Sequence, residues 1–297
     1  MNDRPLRPIQ EGDPHRLAVA SRFAHSLFVT YPSFDVWRSV FDPRDAFHRF
    51  NDQRWSLDGY QGMRQSYLKS VTRLLNIIHS YSAGQAVLRQ LNVTRHIVEV
   101  YPKIFAAAWE LGENAAAFTD DKIKSRIQGT PWQPISTQAA TAVLRSYAAG
   151  TRKLERVCVA GPAGTQCMLG TGEGVGVNVF FDPHYRNGQF MPEDTLLHEL
   201  AHAGRYGLGI FHKAKVGDIE YEEFIANLVE NIFRSERGAA PFDYNGNPIN
   251  PKTFLTPEIR KLISELSRHD IGQPALFRQL SHIQCNFNPI RDVAPVT

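Results

Sequence analysis

Two histidines and a glutamate sit close together in the stretch His198-Glu199-Leu200-Ala201-His202. On a helix, residues four apart lie one turn apart on the same face, so both imidazoles can address a single divalent ion. Glu199 projects about 100° away from His198, near enough to reach a water beside that ion without ligating the ion itself. A carboxylate so placed can take a proton from water and later pass it to a leaving amine. The bland alternative is a helix carrying two partly buried histidines. With 11 histidines in the chain, shuffling the composition produces His-Glu-x-x-His in roughly 0.02 of sequences, which favours metal chemistry.

A catalytic zinc takes three protein ligands and leaves a fourth position open. In one large class of zinc peptidases the third ligand is a glutamate on a following helix, roughly twenty residues beyond the second histidine. The segment Tyr221-Glu222-Glu223-Phe224-Ile225-Ala226-Asn227 falls at that distance. Glu223, followed by Ala226 and Asn227, is similar to the Glu-x-x-(Ala/Ser)-(Asp/Asn) of several glutamate-zincin families, in which the residue four further on braces a ligand histidine. Glu222 is the alternate ligand, because it borders the apolar face of Ile225, Val229, Ile232 and Phe233, whereas Glu223 shares its face with Glu230 and Arg234. Both remain open at this point. The expected cofactor is Zn2+.

These groups need elements to hold them. Leu196, Leu197 and Leu200 give the His-Glu-x-x-His segment a helical period from Glu193, with Gly204 and Gly207 marking its end. A second helix is expected from about Tyr221 to Ser235, and a third from Pro257, started by Thr256-Pro257-Glu258. Leu68, Val71, Leu74, Leu75 and Ile78 predict an amphipathic helix over Ser66–Ser80. Ser82 is placed to cap a short helix after it. Strands are expected at His96–Tyr101, Val157–Val159 and, most regularly, Val175–Phe181, where Val175, Val177, Val179 and Phe181 share a face. That last strand can lie at the cleft edge and pair with an extended substrate through Val177 and Val179, or be a core strand. Ile104–Leu111 and Gln138–Tyr147 also read as helical. Tyr206 and His212, just beyond the motif helix, read as packing or loop groups rather than cleft lining.

The fold class is therefore α+β: mostly helical, with a small mixed sheet beside a central His-Glu-x-x-His helix, a zincin-like core. Residues 1–70 read as a helical N-terminal region, with helical spacing over Leu17–Phe28. Residues 71–285 form the peptidase-like domain and 286–297 a C-terminal coil. The aromatic residues Phe34, Trp37, Phe41, Phe47, Phe50 and Trp55 read as packing. Exposed as a patch, they would dock a chaperone, a delivery component or a target.

Composition narrows the setting. The 297 residues carry 33 basic and 30 acidic groups, a net charge of +3, which is no footprint for nucleic acid. The longest apolar run, Ile104–Trp109, is too short to span a membrane. Cys158, Cys167 and Cys285 are too few and scattered for a disulfide framework and suggest a reducing compartment. The first residues lack the basic start and apolar core of a secretory signal peptide.

The chain resembles the NleD/HopH-type bacterial effector zinc metallopeptidases over roughly Ser82 to Tyr244. The resemblance rests on Ser82-Ala83-Gly84-Gln85-Ala86-Val87-Leu88, Gly176-Val177-Asn178-Val179-Phe180-Phe181-Asp182-Pro183, Leu197-His198-Glu199-Leu200-Ala201-His202-Ala203, Glu222-Glu223, and Arg234-Ser235-Glu236-Arg237-Gly238 leading to Pro241 and Tyr244. It implies a zinc-dependent endopeptidase toxin or effector. His198 and His202 would be zinc ligands, Glu199 the general base, and Tyr244 a donor to the developing oxyanion. It further implies a protein substrate in a target cell, a chaperone or secretion-system component as partner, and residence in the bacterial cytoplasm before delivery by a signal-peptide-independent route. Two departures stand out. Phe242 occupies the place where family members usually show an arginine, and Pro102–Trp132 reads as an insertion. Two other classes compete: a zinc-containing regulatory or binding module without proteolytic activity, and a metal-free helical interaction protein.

Overall fold

The structure is a computed structural model; it describes residues 16–34, 57–94, 96–103, 115–118, 133–134, 156–161, 164–169, 176–184, 190–208, 210, 215–216, 219–243, 245–268 and 275–293. In chain order the elements are β1 (Arg16–Ala20), β2 (Leu27–Pro32), α1 (Leu57–His79), α2 (Ser82–Val93), β3 (Val98–Pro102), β4 (Ala115–Phe118), β5 (Gln133–Pro134), β6 (Arg156–Gly161), β7 (Gly164–Leu169), β8 (Val177–Phe181), α3 (Pro192–Gly207), β9 (Lys215–Val216), β10 (Ile219–Glu220), α4 (Tyr221–Glu236), α5 (Pro251–Phe254), α6 (Pro257–Arg268), α7 (Leu276–Ser281) and α8 (Pro289–Val293). The α+β class holds, with more of the described residues in helices than in strands.

The central sheet has the order β1-β2-β3-β8-β4. β2, β3 and β8 run parallel, while β1 and β4 are antiparallel additions at the two ends. Their register stacks Leu27, Val98 and Val177 in one row and Val29, Val100 and Val179 in the next. Both rows belong to the same hydrophobic cluster as Leu196, Leu197 and Leu200 of α3. β5, β6 and β7 form a separate three-stranded sheet, and β9 pairs with β10.

Sequence and structure part company at the two ends of the chain. Leu17–Phe28 is not helical: Arg16–Ala20 and Leu27–Pro32 are strands, with Leu17 opposite Tyr31. Short apolar runs fit either period, and here pairing with β3 decides for strand. Residue 70 is no boundary either, since α1 runs through it and β2 lies in the central sheet. Phe34 packs on Tyr60, with ring centroids 5.3 Å apart. The other aromatics of that segment lie outside the described residues, as do the helices expected at 104–111 and 138–147. At the far end the expected coil contains α8, begun by Asn288 and Pro289; the Asn288 carboxamide oxygen accepts the Arg291 N–H at 3.1 Å. An Asn-Pro start signal was present in the sequence.

The helices around the motif pack closely. A Cβ on Gly84 would lie 1.9 Å from the Ile78 carbonyl oxygen, so the α1–α2 joint admits only glycine. Gly204 falls inside α3 rather than ending it, and a Cβ there would sit 2.9 Å from the Gln90 side chain of α2. Ser82 is not the cap of α2. Its N–H and that of Ala83 donate to the Glu236 carboxylate of α4, at 3.0 and 2.8 Å. An acid supplied from a distant helix thus satisfies two orphan donors and complements the positive end of the helix dipole.

Candidate metal centre

Leu196, Leu197 and Leu200 are fully buried on α3, which turns His198 and His202 together towards α4. On α4 the apolar residues Ile225, Val229, Ile232 and Phe233 are likewise fully buried. Glu223 and Glu230, two turns apart, therefore share a stripe that faces α3. That stripe reads in sequence as a solvated charged face; packing makes it the interior wall of a site.

The three side chains meet. His202 Nε2 lies 3.1 Å from His198 Nε2, His198 Nε2 lies 3.1 Å from Glu223 Oε2, and His202 Nε2 lies 3.2 Å from Glu223 Oε1. The imidazole planes stand at 74° to each other. A tetrahedral ion with bonds of about 2.0–2.1 Å sets its ligands roughly 3.3 Å apart, so this triangle matches the span such an ion requires. Without an ion the same approach requires a hydrogen on one of the two Nε2 atoms, which can then donate to the other imidazole or to Glu223. His198, His202 and Glu223 could hold a metal ion.

Glu222 is excluded from that group by its own partner. Arg205 of α3 grips it with two hydrogen bonds, Nε to Oε2 at 2.5 Å and Nη2 to Oε1 at 2.9 Å, and donates a third from Nη2 to the Ile210 carbonyl. Both side chains are buried, at 8% and 1% exposure, against 28% for Glu223. A planar guanidinium matches a carboxylate in this two-toothed way and holds it. Of the two adjacent glutamates, Glu223 is the one delivered to the imidazoles.

The charges at the site are strongly coupled. Burial alone would push the His198 imidazole down, but hydrogen bonds to Glu223 and Glu230, with the nearby Glu199 charge, hold it well above its ordinary value. Burial would likewise raise Glu223, and the two histidines override it, keeping its carboxyl far below the usual range. In the metal-free chain these contacts favour a protonated His198 imidazole beside an ionised Glu223. Glu199 is buried, at 8% exposure, on the same helix.

Several expected residues are elsewhere. Val177 and Val179 are 2% and 0% exposed, and β8 is an interior strand with β3 on one side and β4 on the other. Neither valine can meet a substrate. The segment read as an insertion supplies β4, which occupies the edge that β8 was expected to offer. Asn227 does not brace a histidine; its amide donates to the Glu223 carbonyl of its own helix at 2.8 Å. Tyr206 lies within α3 and is buried, as the packing reading anticipates. Tyr244 and His212 lie outside the described residues. Phe242 is buried, its backbone held by Asn231 through Nδ2 to its carbonyl at 2.7 Å and its own N–H to Oδ1 at 2.8 Å.

Sequence reasoning missed the groups that fix α3 against α4. Arg234 donates to Asp194 at 2.5 Å, and Arg237 bridges Asp194 and Glu193 at 2.6 Å each. The Arg234 guanidinium also lies 4.9 Å over the Phe242 ring. Burial pushes the Asp194 carboxyl up to about 6 despite the Met191 N–H and both arginines. Ser235 accepts the Phe287 N–H at 2.8 Å, tying in the C-terminal segment. The run Arg234-Ser235-Glu236-Arg237 is thus a latch to three other parts of the molecule. Its only sequence trace was membership in the resemblance.

No family model, curated protein or solved structure compared with this chain matches it. What the molecule offers is a site: a helical His/His/Glu group that could hold a metal ion, beside a buried glutamate.

Proposed function

We propose that the chain is a zinc-dependent endopeptidase with a zincin-like core. The observation that carries this reading is the mutual 3.1–3.2 Å approach of His198, His202 and Glu223 from two helices. His198, His202 and Glu223 would hold the ion, which would supply Lewis acidity towards the scissile carbonyl and towards water. Two imidazoles and one carboxylate are the donor set suited to zinc, and one position is left for chemistry. Glu199 carries the protons: its carboxylate takes one from the attacking water and returns it to the departing amine nitrogen. Tyr244 donates to the developing oxyanion, a role resting on the resemblance alone. The same resemblance supports an NleD/HopH-type effector, held in the bacterial cytoplasm and then delivered to a target cell without a signal peptide, where it cuts a protein. Among the described residues no helix is long and apolar enough to cross a membrane.

The test joins elemental analysis of the purified chain with cleavage profiling of a target-cell lysate. Parent protein should carry about one zinc per chain and generate new protein termini. Glu199→Ala should keep fold and zinc and lose roughly 10²–10⁴-fold in cleavage rate. Equal cleavage by the variant refutes the mechanism. A zinc-loaded parent that cuts nothing points to a binding or regulatory module instead.

A further inference from the structure

We infer that Glu230 is the positioning residue of this centre: it fixes the orientation and tautomer of His198, a task the sequence pattern assigns to Asn227. The inference rests on reading the site as a metal centre. His198 Nδ1 lies 3.0 Å from Glu230 Oε2, on the side of the ring away from Glu223 and His202. An ionised carboxylate only accepts, so in the neutral ring the hydrogen belongs on Nδ1 and the lone pair on Nε2, the nitrogen that faces the other two ligands. Asn227 is engaged with its own helix and leaves that position to a residue one turn further on.

Glu230 makes poor sense as a stabilising group. It is 4% exposed, and its second oxygen, Oε1, has no hydrogen-bond partner among the described residues. A buried carboxylate satisfied at one oxygen weakens a fold, and a leucine or methionine would pack there without that penalty. An acid at this position becomes favourable when a cation sits beyond the imidazole it holds, because the carboxylate raises the basicity of the ligand nitrogen. The latch gives Glu230 a rigid base: Asn231 and Arg234, its neighbours on α4, are tied to Phe242 and Asp194.

Zn2+ affinity, measured by chelator competition on the full chain, tests the assignment. Glu230→Ala should weaken Zn2+ binding about 10–100-fold, whereas Asn227→Ala should change it by less than about twofold. The proposal is overturned if folded Glu230→Ala binds Zn2+ like the parent, or if Asn227→Ala loses as much. Should Glu230→Ala fail to fold, the parent decides. Loaded with 113Cd2+ and labelled with 15N-histidine, it should show metal coupling at His198 Nε2 and a proton on Nδ1; coupling at Nδ1 instead sinks the proposal. A parent chain that binds neither ion removes the metal-centre reading itself, so the two failures are told apart.

Discussion

The charged residues at the two ends of α4 are not all put to the same use. At the C-terminal end Arg234, Glu236 and Arg237 all find fixed partners within the protein: Asp194, Glu193 and the first N–H groups of α2. At the N-terminal end Glu222 is held in the same manner by Arg205, but Glu223 meets only imidazoles and is the most open member of its group. Charges with complete partner sets hold helices in place. Charges aimed at a shared point, with lone pairs left over, bind something. The latch is what lets the site be aimed, because a centre with ligands on two helices needs those helices held to within a fraction of an ångström.

Breaking the latch should have the largest effect. Arg234→Ala takes from the buried Asp194 one of its two guanidinium partners, leaving Arg237, and is expected to lower stability by about 3 kcal/mol in chemical denaturation. The adjacent glutamates sharpen the contrast. Glu222→Gln should lower stability by about 1–3 kcal/mol, since Arg205 loses half of its two-toothed partner. Glu223→Gln should also lower the stability of the zinc-free chain, because it takes from two imidazoles the carboxylate they favour, and should in addition weaken Zn2+ binding. Zn2+ binding weakened equally in these two variants would erase the distinction between the two glutamates.

The smallest effect is one of pH. The Asp194 carboxyl stands at about 6 in the fold against 3.8 in its absence. Between those values the native chain holds a proton that the unfolded chain releases, so stability from this group is full below about pH 4 and falls as pH rises towards 6. Asp194→Asn should flatten that slope in denaturation curves taken across the window. An unchanged slope would assign the pH response to other groups.

Much of the site was legible beforehand. His198, Glu199 and His202 follow from helical spacing alone, and the distance to α4 brought Glu222 and Glu223 forward as a pair. The Glu-x-x-Ala-Asn pattern put Glu223 first with Glu222 as alternate, but excluding Glu222 was beyond the sequence, because Arg205 reaches it from another helix. Glu230 was visible only as a member of a charged stripe, and the period of a helix does not reveal which stripe faces inward. Val177 and Val179 failed as substrate contacts for a similar reason: alternation locates a strand but not its neighbours. Leu17–Phe28 failed because a short apolar run suits both periods until β3 pairs with it.

The residues by themselves determined that two imidazoles share a helix face, since a turn of 3.6 residues is a local property that no distant contact alters. The tertiary structure alone decided which carboxylate completes the group, which one steadies His198, and that β4 covers the sheet edge. Each of those outcomes depends on side chains far apart in sequence competing for the same partner, and burial settles such contests by leaving no water to take the loser's place.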